Sequence, residues 1–346
     1  IVGLDRDNCV GDADAEEPCV VITAAGEESW WKNFTFRYGV NMSGVGGAWM
    51  IQDGALLGSA SNCVFQSNVA SNGAAVASAK YICDSLFTNN TAIASGGGTF
   101  RCEQVERCKY IDNLAGQSGG GSAGDGRVLA SLFWANQSPK GGGGANSAYY
   151  CCTFAQNAGS APVLGAAYAS GLYGCAIYAS ALPTDDSSYV ESSGIVTKSH
   201  FFDAAAGDFH LRIRENHQPV NHEQLRITSS SIQQMAEREN GRDVEGNPYV
   251  IANPVTGEKF MYGGCYAFVP FKTNGLVVNG ADEWYDSTNF KTSLREAVAE
   301  AKTYAQSTNF VSATSTTNEL VITFDESVFS DEWGMAHDLI TIPFGE

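Results

Sequence analysis

A pattern of four residues, aromatic-x-x-Asn, recurs five times in the first half of the chain. Successive aromatic residues are 22, 23, 23 and 21 positions apart, and a degraded sixth copy, Ile177–Ser180, follows after a further 23. The five copies are Phe65–Asn68, Phe87–Asn90, Tyr110–Asn113, Phe133–Asn136 and Phe154–Asn157. A period of this length indicates a stack of similar units, because each unit has a face that it cannot bury alone.

Two further features keep the same period. Clusters of glycines or small residues fall between the aromatic positions, at Gly46–Trp49, Gly73–Val76, Gly96–Gly98, Gly119–Gly121 and Gly141–Gly144. A cysteine or serine stands two residues before each aromatic or its substitute: Cys63, Ser85, Cys108, Ser131, Cys152 and Cys175. Residues i and i+2 of a strand share a face. We therefore expect the Cys/Ser column and the aromatic column to point into one core.

These columns predict a parallel β-helix with coils of about 22 residues. The asparagine falls where a strand ends, and stacked Asn side chains both donate and accept hydrogen bonds along a ladder. The glycines supply positive φ angles and close backbone approach at another corner. A leucine-rich repeat has a similar length, but its leucine spacing is absent, and a β-propeller needs a period about twice as long.

This register makes a specific prediction about the core. The five aromatic side chains of the repeat form one buried stack, flanked by the Cys/Ser column. Cys152 and Cys175 lie on neighbouring coils at a strand spacing of about 4.8 Å, which permits a disulfide, although stacked buried thiols are favoured. The better candidates for surface disulfides are Cys102 with Cys108 and Cys9 with Cys19.

The repeat resembles that of chlamydial polymorphic outer membrane proteins and related bacterial surface β-helices. The matching features are aromatic-x-x-Asn alternating with Gly-Gly-Ala-apolar segments, over residues 34 to 180. The chain departs from the family where Gly-Gly-Ala becomes Gly-Gly-Gly or Gly-Ala-Ala, and where Tyr110 replaces phenylalanine. The resemblance implies an all-β fold, with a right-handed parallel β-helix over residues 1–186, and a place outside the cell or on its outer surface.

Residues 187–270 have a different composition, with fewer Gly and Ala and more charge. Gly207–Arg212, Gly241–Pro248 and Gly263–Phe268 follow in an order similar to the closing segment of bacterial surface β-helices of the choice-of-anchor Q type. The resemblance implies an irregular segment that closes the β-helix, whose open end would otherwise expose unpaired strand edges. Ser229–Arg238 is predicted to be the one short helix of this segment.

Residues 271–346 are predicted to be a small α+β module. Leu276–Asn279, Leu320–Asp325 and Leu339–Ile342 are typical of strands, and Thr292–Lys302 of an amphipathic helix. Ser293–Val298 and Ile322–Asp325 resemble the CSLREA module, with Thr292-Ser293 where that family often has Cys-Ser. Such a module normally precedes a β-helix, whereas here it follows one.

This order of segments suggests self-assembly. The chain begins with Ile1-Val2 as though within a strand layer, and Leu339–Glu346 has the character of the layer before it. We hypothesise that residues 276–346 cap the N-terminal strands of the next copy, either a neighbouring subunit or the next repeat of a longer polypeptide. The predicted partner is therefore the chain itself, head to tail.

The charge of the chain argues against several partners. There are 20 Lys and Arg against 38 Asp and Glu, so the formal net charge is −18. An acidic chain is poorly suited to nucleic acid, whose phosphates require Lys and Arg, and to anionic lipid. Residues 141–184 contain no charged residue or histidine. They are interrupted by Gly, Ser, Asn, Gln and Pro, and they predict no membrane span.

Few groups are suited to metal binding. Asp12, Asp14 and Glu16 alternate in a loop and form the candidate calcium site, and calcium is the one cofactor that the sequence suggests. A solvated acidic turn is the favoured alternative, because the loop is too short for an EF-hand. Four histidines lie within 23 residues in no usual zinc spacing, so neutral surface or cap histidines are favoured: His200, His210, His217 and His222.

Two classes of function remain. The favoured one is a non-enzymatic extracellular structural or adhesive protein, a module of a giant surface protein or a filament subunit, with cell-surface glycans as a further partner. The alternative is a polysaccharide lyase or glycoside hydrolase, which needs clustered acids and basic residues on one face. Asp185 and Asp186 are a poor carboxylate pair, because adjacent strand residues point to opposite faces. Within the coils only Arg101–Asp112 and Asp125–Arg127 form a local charged cluster.

Overall fold

The computed structural model describes residues 1–23, 28–51, 58–161, 165–183, 187–211, 214–215, 218–238, 241–252 and 259–268, and three short strands nearer the C-terminus. The chain forms a β-solenoid of about seven turns, with about 23 residues per turn. The fold class predicted from the repeat is therefore confirmed. No helix among the described residues is long and apolar enough to cross a membrane.

The coils contribute short strands to four parallel sheets, numbered here in the order in which a coil passes through them, and sheet 3 has strands in only four of the described coils. Sheet 1 contains Ser29–Lys32, Gly58–Ser61, Tyr81–Cys83, Gln104–Glu106, Arg127–Leu129, Ala148–Tyr150, Gly171–Tyr173 and Tyr189–Glu191. Sheet 2 contains Val10–Asp12, Thr35–Arg37, Val64–Gln66, Leu86–Thr88, Lys109–Ile111, Leu132–Trp134, Thr153–Ala155, Ala176–Tyr178 and Gly194–Val196. Sheet 3 contains Val40–Val45, Val69–Asn72, Thr91–Ser95 and Leu114–Ala115. Sheet 4 contains Val20–Ile22, Trp49–Ile51, Val76–Ala77, Thr99–Phe100, Ser122–Ala123, Gly144–Ala145 and Ala167–Tyr168.

The aromatic column is buried behind sheet 2, as predicted. Its members pair in register along the sheet and are fully buried: Phe65, Phe87, Tyr110, Phe133 and Phe154. Neighbouring rings are stacked with centroids 4.5–4.9 Å apart, and Phe36 extends the stack by one coil at 5.4 Å. Parallel strands are about 4.8 Å apart, so in-register pairing alone brings the rings to stacking distance.

A ladder of buried asparagines follows sheet 2, as predicted. Its members are Asn68, Asn90, Asn113, Asn136 and Asn157. At each step the Oδ1 atom accepts hydrogen bonds from the backbone N–H and the Nδ2 of the asparagine one coil earlier. For Asn113 these distances from Asn90 are 3.1 and 2.9 Å. The Nδ2 of Asn113 also donates to the Phe87 carbonyl at 2.9 Å. The ladder therefore satisfies backbone groups where the chain leaves the sheet.

Left-handed backbone turns the coil at its corners. The predicted glycine corner has φ between 56° and 74° at Gly46, Gly73, Gly96, Gly119 and Gly141. A Cβ atom at Gly96 would lie 2.2 Å from the Thr99 carbonyl oxygen, so glycine is required there. The residue before each ladder asparagine also has positive φ although none is glycine: Ser67, Asn89, Asp112, Ala135 and Gln156. This conformation carries a steric cost, which the ladder hydrogen bonds offset.

The Cys/Ser column lies at the corner between sheets 1 and 2 and points inward, as predicted. Ser131 Oγ accepts from the Cys108 N–H at 3.1 Å and donates to the Leu129 carbonyl at 2.7 Å. Cys152 and Cys175 are buried free thiols, so stacked thiols, the favoured alternative, are present.

The predicted surface disulfides are wrong for this structure. Cys102 and Cys108 are unpaired and buried, because Cys102 follows sheet 4 while Cys108 belongs to the column after sheet 1. Cys9 and Cys19 are half-buried and unpaired. Proximity in the sequence does not bring two residues together when a coil corner lies between them.

Asp125 is a buried acid at the corner between sheets 4 and 1. Its Oδ2 accepts from the Thr99 hydroxyl at 2.6 Å and its Oδ1 from the Cys102 N–H at 2.8 Å. Burial raises the pKa of the Asp125 carboxyl to about 7, although these hydrogen bonds oppose the rise. The charged cluster predicted from Asp125 and Arg127 is therefore divided, with Asp125 inside the core.

We expect Asp125→Asn to stabilise the protein increasingly as the pH rises. The folded-state pKa lies above the unfolded value of about 3.9. Between these two values the folded state holds a proton that the unfolded state releases, so the stability of the wild type falls with rising pH. Asparagine keeps the acceptor for Cys102 and cannot ionise. The free energy of unfolding of the variant relative to the wild type should grow by about 2–3 kcal/mol between pH 5 and pH 8. Urea titrations measure it, and a pH-independent difference would contradict the buried ionisable acid.

The segment after the last solenoid strands contains short elements. It has 3₁₀ helices Lys198–His200 and Glu223–Leu225, the helix Ser230–Arg238, and strands Phe201–Asp203, Asp208–Leu211, Arg214–Glu215, Gln218–Pro219, Ile251–Ala252 and Lys259–Phe260. The predicted short helix is therefore confirmed. We call residues 197–268 the lateral segment, because of the way in which it packs.

The described part of the lateral segment packs along the side of the solenoid and also reaches its last strand, where Gln224 Nε2 donates to the Ile195 carbonyl at 2.9 Å. Leu132 and Ala176, on the outer face of sheet 2, share an apolar cluster with Phe209 and Leu225. Ile195 continues the aromatic column in the last coil but is 47% exposed. The segment packs along the side because the outer face of sheet 2 becomes apolar in the later coils and must itself be buried.

Three strands nearer the C-terminus form a separate small sheet. The strand Glu319–Phe324 pairs in parallel with Val277–Val278 and antiparallel with Ile340–Pro343. The three strands predicted in residues 271–346 agree with these bounds to within one residue at each end. The predicted helix, Thr292–Lys302, lies outside the described residues.

Candidate functional site

A shallow cleft of about 300 Å³, much of it open to solvent, lies between the solenoid and the lateral segment. The solenoid contributes Glu106, Arg107, Leu129, Ala130, Tyr150 and Cys151, and the lateral segment contributes Met235, Arg242 and Tyr249. Glu106, Leu129 and Tyr150 occupy equivalent outward positions of sheet 1 in three successive coils. The cleft thus arises where the lateral segment folds back along a regular sheet.

Glu106 is the centre of the polar network in the cleft, and its side chain is 4% exposed. Its Oε2 accepts from the Tyr81 hydroxyl at 2.7 Å and from Arg107 Nη1 at 2.9 Å. Gln104 Nε2 donates to its Oε1. Burial and the hydrogen bond to Glu106 raise the pKa of the Tyr81 phenol well above its usual range. Every one of these neighbours donates to Glu106, which therefore acts as a fixed acceptor.

Arg107 joins this network to the corner of the coil. Its Nε and Nη2 donate to Asp84 at 2.7 and 3.2 Å, a bidentate geometry. Burial opposes its charge, but the bonds to Asp84 and the nearby Glu106 raise the pKa of Arg107 above its ordinary value. The guanidinium therefore forms ion pairs with both carboxylates.

Beyond the cleft, the outer face of sheet 1 carries aromatic and polar side chains. Trp30 stacks on Tyr81 with centroids 5.7 Å apart, and Tyr173 lies 5.6 Å from Tyr189. Between these pairs, Arg127 Nη2 donates to Gln104 Oε1 at 2.8 Å. Trp30 is 47% and Tyr189 57% exposed. We call this surface the sheet 1 platform: Trp30, Tyr81, Gln104, Arg127, Tyr173 and Tyr189.

The calcium loop predicted at Asp12, Asp14 and Glu16 lies at the first strand of sheet 2. Asp12 Oδ2 accepts from Arg37 Nε at 2.8 Å, and its Oδ1 accepts from the Asp14 N–H at 3.1 Å. The backbone bond from Asp14 and then the Arg37 guanidinium lower the pKa of the Asp12 carboxyl. Within the described ranges no three His, Cys, Asp or Glu side chains are grouped to hold a metal ion. Calcium binding stays a prediction.

His210 holds two parts of the lateral segment together. Its Nδ1 lies 2.6 Å from Asp208 Oδ1 and its Nε2 lies 3.1 Å from Glu245 Oε2. Burial opposes protonation, but the two carboxylates raise the pKa of His210 to about 9. This histidine is therefore charged at neutral pH, whereas a neutral surface or cap histidine was expected. Of the other histidines, His200 is half-buried and His222 is buried. His217 and the carboxylate pair Asp185 and Asp186 lie outside the described residues.

Sequence reasoning found part of this site and missed the rest. The segment Arg101–Asp112 and Arg127 were singled out, and they supply Gln104, Glu106 and Arg107. The aromatic members were missed, although a periodic signal marks them. The residue six positions before each core aromatic faces outward on sheet 1, as Trp30, Tyr81, Gln104 and Arg127 do. The wall of the cleft had no such signal, because it comes from distant parts of the chain.

Comparison of the chain with protein-family models, with curated proteins and with solved structures finds no match in any of the three. The resemblance to bacterial surface β-helices is therefore carried by the repeat motifs, and the structure supports its fold.

Proposed function

We propose that this chain is a non-enzymatic extracellular structural or adhesive β-solenoid, a module of a giant surface protein or a subunit of a head-to-tail filament. The observation that carries the proposal is the pair of open ends of sheet 2. Among the described residues, Val10–Asp12 pairs as a strand only with Thr35–Arg37, and Gly194–Val196 only with Ala176–Tyr178. The free edge of Gly194–Val196 carries one side-chain hydrogen bond, from Gln224 to the Ile195 carbonyl. Ile195 leaves the aromatic column exposed at one of these ends. Open strand edges with apolar side chains favour pairing with another chain.

The strand direction favours a head-to-tail arrangement. All strands of sheet 2 run parallel, so the two ends of the sheet differ, and copies that keep this direction place the end of one solenoid towards the start of the next. The two contacting surfaces differ, and such a heterologous contact propagates as a fibre. In this proposal residues 276–346 cap the N-terminal strands of the next copy. The outer strands of their three-stranded sheet, Val277–Val278 and Ile340–Pro343, have edges suited to strand addition.

The chemistry of the cleft supports a non-enzymatic role. Glycoside hydrolases place two carboxyl groups about 5–10 Å apart across the scissile bond. Glu106 is the one carboxylate among the described residues that line the cleft, and it is paired with Arg107. Incubation with a panel of polysaccharides tests this point. Bond cleavage that is abolished by Arg127→Ala would overturn the proposal in favour of the carbohydrate-active enzyme.

We expect the full chain to form elongated assemblies whose growth is blocked by Ile195→Lys. A lysine at the exposed end of the aromatic column places a charge on the end of the solenoid that faces the next copy, and burying an unpaired charge is costly. Sedimentation velocity and electron microscopy measure the assembly. The matched control is Ile93→Lys, because Ile93 is 49% exposed on the side of the solenoid, and this variant should assemble normally. A wild type that stays monomeric, or a chain truncated after Phe271 that still polymerises, would contradict head-to-tail contact through residues 276–346.

A further inference from the structure

We propose that the sheet 1 platform binds a neutral polysaccharide chain laid across the coils, an inference that deepens the adhesive part of the proposed function. The platform runs along the solenoid from the strand of Trp30 to the strand of Tyr189, across the eight strands of sheet 1. With strands about 4.8 Å apart, this is roughly 34 Å. The length suits an extended oligosaccharide better than a compact small molecule.

The arrangement of the platform matches the two sides of a sugar ring. A pyranose has apolar C–H faces and a rim of hydroxyl groups, and aromatic side chains combine an apolar face with a polar edge. The platform has ring pairs towards both ends, Trp30 with Tyr81 and Tyr173 with Tyr189. The amide of Gln104 and the guanidinium of Arg127 lie between them and supply hydrogen-bonding groups for hydroxyls.

The charges around the platform favour a neutral ligand. Lys80 is paired with Glu28, and Arg107 with Asp84 and Glu106. The basic side chains beside the platform are thus paired with acids, and they form no basic stripe that would attract a polyanion. Polar side chains, among them the charged Arg127, interrupt the aromatic pairs, whereas the core of a protein–protein interface is depleted of charged residues.

Several platform side chains are held in place before any ligand binds. The Tyr81 hydroxyl donates to Glu106 at 2.7 Å, Arg127 donates to Gln104 at 2.8 Å, and the Tyr189 hydroxyl donates to Glu191 at 3.3 Å. Side chains fixed in this way lose less conformational entropy on binding. Next to the platform, Tyr150 stacks on Tyr173 with centroids 4.6 Å apart and belongs to the cleft. The lateral segment therefore forms a wall along one side.

Isothermal titration calorimetry of the full chain with neutral hexasaccharides tests the proposal, with cellohexaose, maltohexaose, mannohexaose and xylohexaose as probes. We expect at least one of them to bind. Trp30→Ala and Tyr189→Ala should each weaken binding roughly tenfold or more, and Trp30→Phe should retain most of it, because the ring face is the binding element. Tyr38→Ala is the matched control, since Tyr38 is 44% exposed at another corner of the coil. This variant should bind as the wild type does.

Three outcomes would overturn the proposal. In the first, none of the four probes binds. In the second, hexagalacturonate binds more tightly than the neutral probes. In the third, neither Trp30→Ala nor Tyr189→Ala reduces binding. Sedimentation of the same variants separates this proposal from assembly. A variant that assembles normally but no longer binds saccharide supports the platform as the binding surface. A variant that binds saccharide normally but no longer assembles bears only on the proposed head-to-tail contact.

Discussion

Replacing Phe133 by alanine is expected to lower the free energy of unfolding by about 3–5 kcal/mol. The ring is fully buried and stacks between Tyr110 and Phe154, at centroid distances of 4.5 and 4.8 Å. The edge of Tyr149 lies against it at 5.4 Å. Hydrogen-bonded strands hold the neighbouring coils at a fixed spacing, so the surrounding side chains cannot close the cavity. The loss of unfolding free energy should therefore lie in the upper part of the range of about 3–5 kcal/mol.

Urea-induced unfolding followed by circular dichroism measures this change. Leu114→Ala is the control, because Leu114 is 44% exposed on sheet 3 and its truncation should change stability by no more than about 0.5 kcal/mol. The loss of stability in Phe133→Leu should lie between those of Phe133→Ala and Leu114→Ala, since leucine fills part of the space left by the ring. If Phe133→Ala costs no more than Leu114→Ala, the aromatic stack is not the core of the solenoid.

Replacing Asn113 by aspartate is expected to destabilise the protein by about 3–6 kcal/mol at neutral pH, since each buried polar group left unpaired costs about 1–3 kcal/mol and a charged one more. The Nδ2 of Asn113 donates to the Phe87 carbonyl and to Asn136 Oδ1, both at 2.9 Å. Aspartate has nearly the same shape, but it places an oxygen against these two acceptors. The change thus removes two buried donors and adds a buried charge.

The control for this prediction is Asn89→Asp, because Asn89 precedes the ladder residue Asn90 and lies outside the ladder. Asn89 is exposed, and its Nδ2 donates to the neighbouring Thr88 hydroxyl at 3.1 Å. Asn89→Asp should change the free energy of unfolding by no more than about 0.5 kcal/mol. Thermal and urea unfolding of the two variants compare them directly. Equal effects at the two positions would mean that the ladder contributes little to stability.

The sequence could predict the solenoid because its signals are periodic. Residues at the same position of successive coils are brought into register by the backbone, so Phe87 and Tyr110 had to stack once the strands paired in parallel. The same argument applies to the asparagine ladder and to the Cys/Ser column. Periodicity also carried a signal for the platform, at the position six residues before each aromatic, but that signal is mixed, because exposed positions tolerate many side chains.

The lateral segment could not be placed from the sequence. Its contacts join residues far apart in the chain, such as the Cys265 N–H with Thr153 Oγ1 at 2.9 Å and the Tyr249 hydroxyl with the Cys151 carbonyl at 3.0 Å. No repeat links these positions. The expectation considered only the unpaired strand edges at the open end. It left out the apolar outer face of sheet 2, against which the segment also packs.

The sequence by itself determined the strand repeat, the inward columns and the ladder at the corner of each coil, because these depend on side-chain alternation and on one parallel register. The tertiary structure alone decided which side of the solenoid the lateral segment covers and where the cleft forms. It also decided that Asp125 is enclosed while Arg127, two residues later, lies half-exposed on sheet 1. The physical reason is that these outcomes depend on which apolar surfaces meet. That is a property of residues that are distant in the sequence and adjacent only after the coils have stacked.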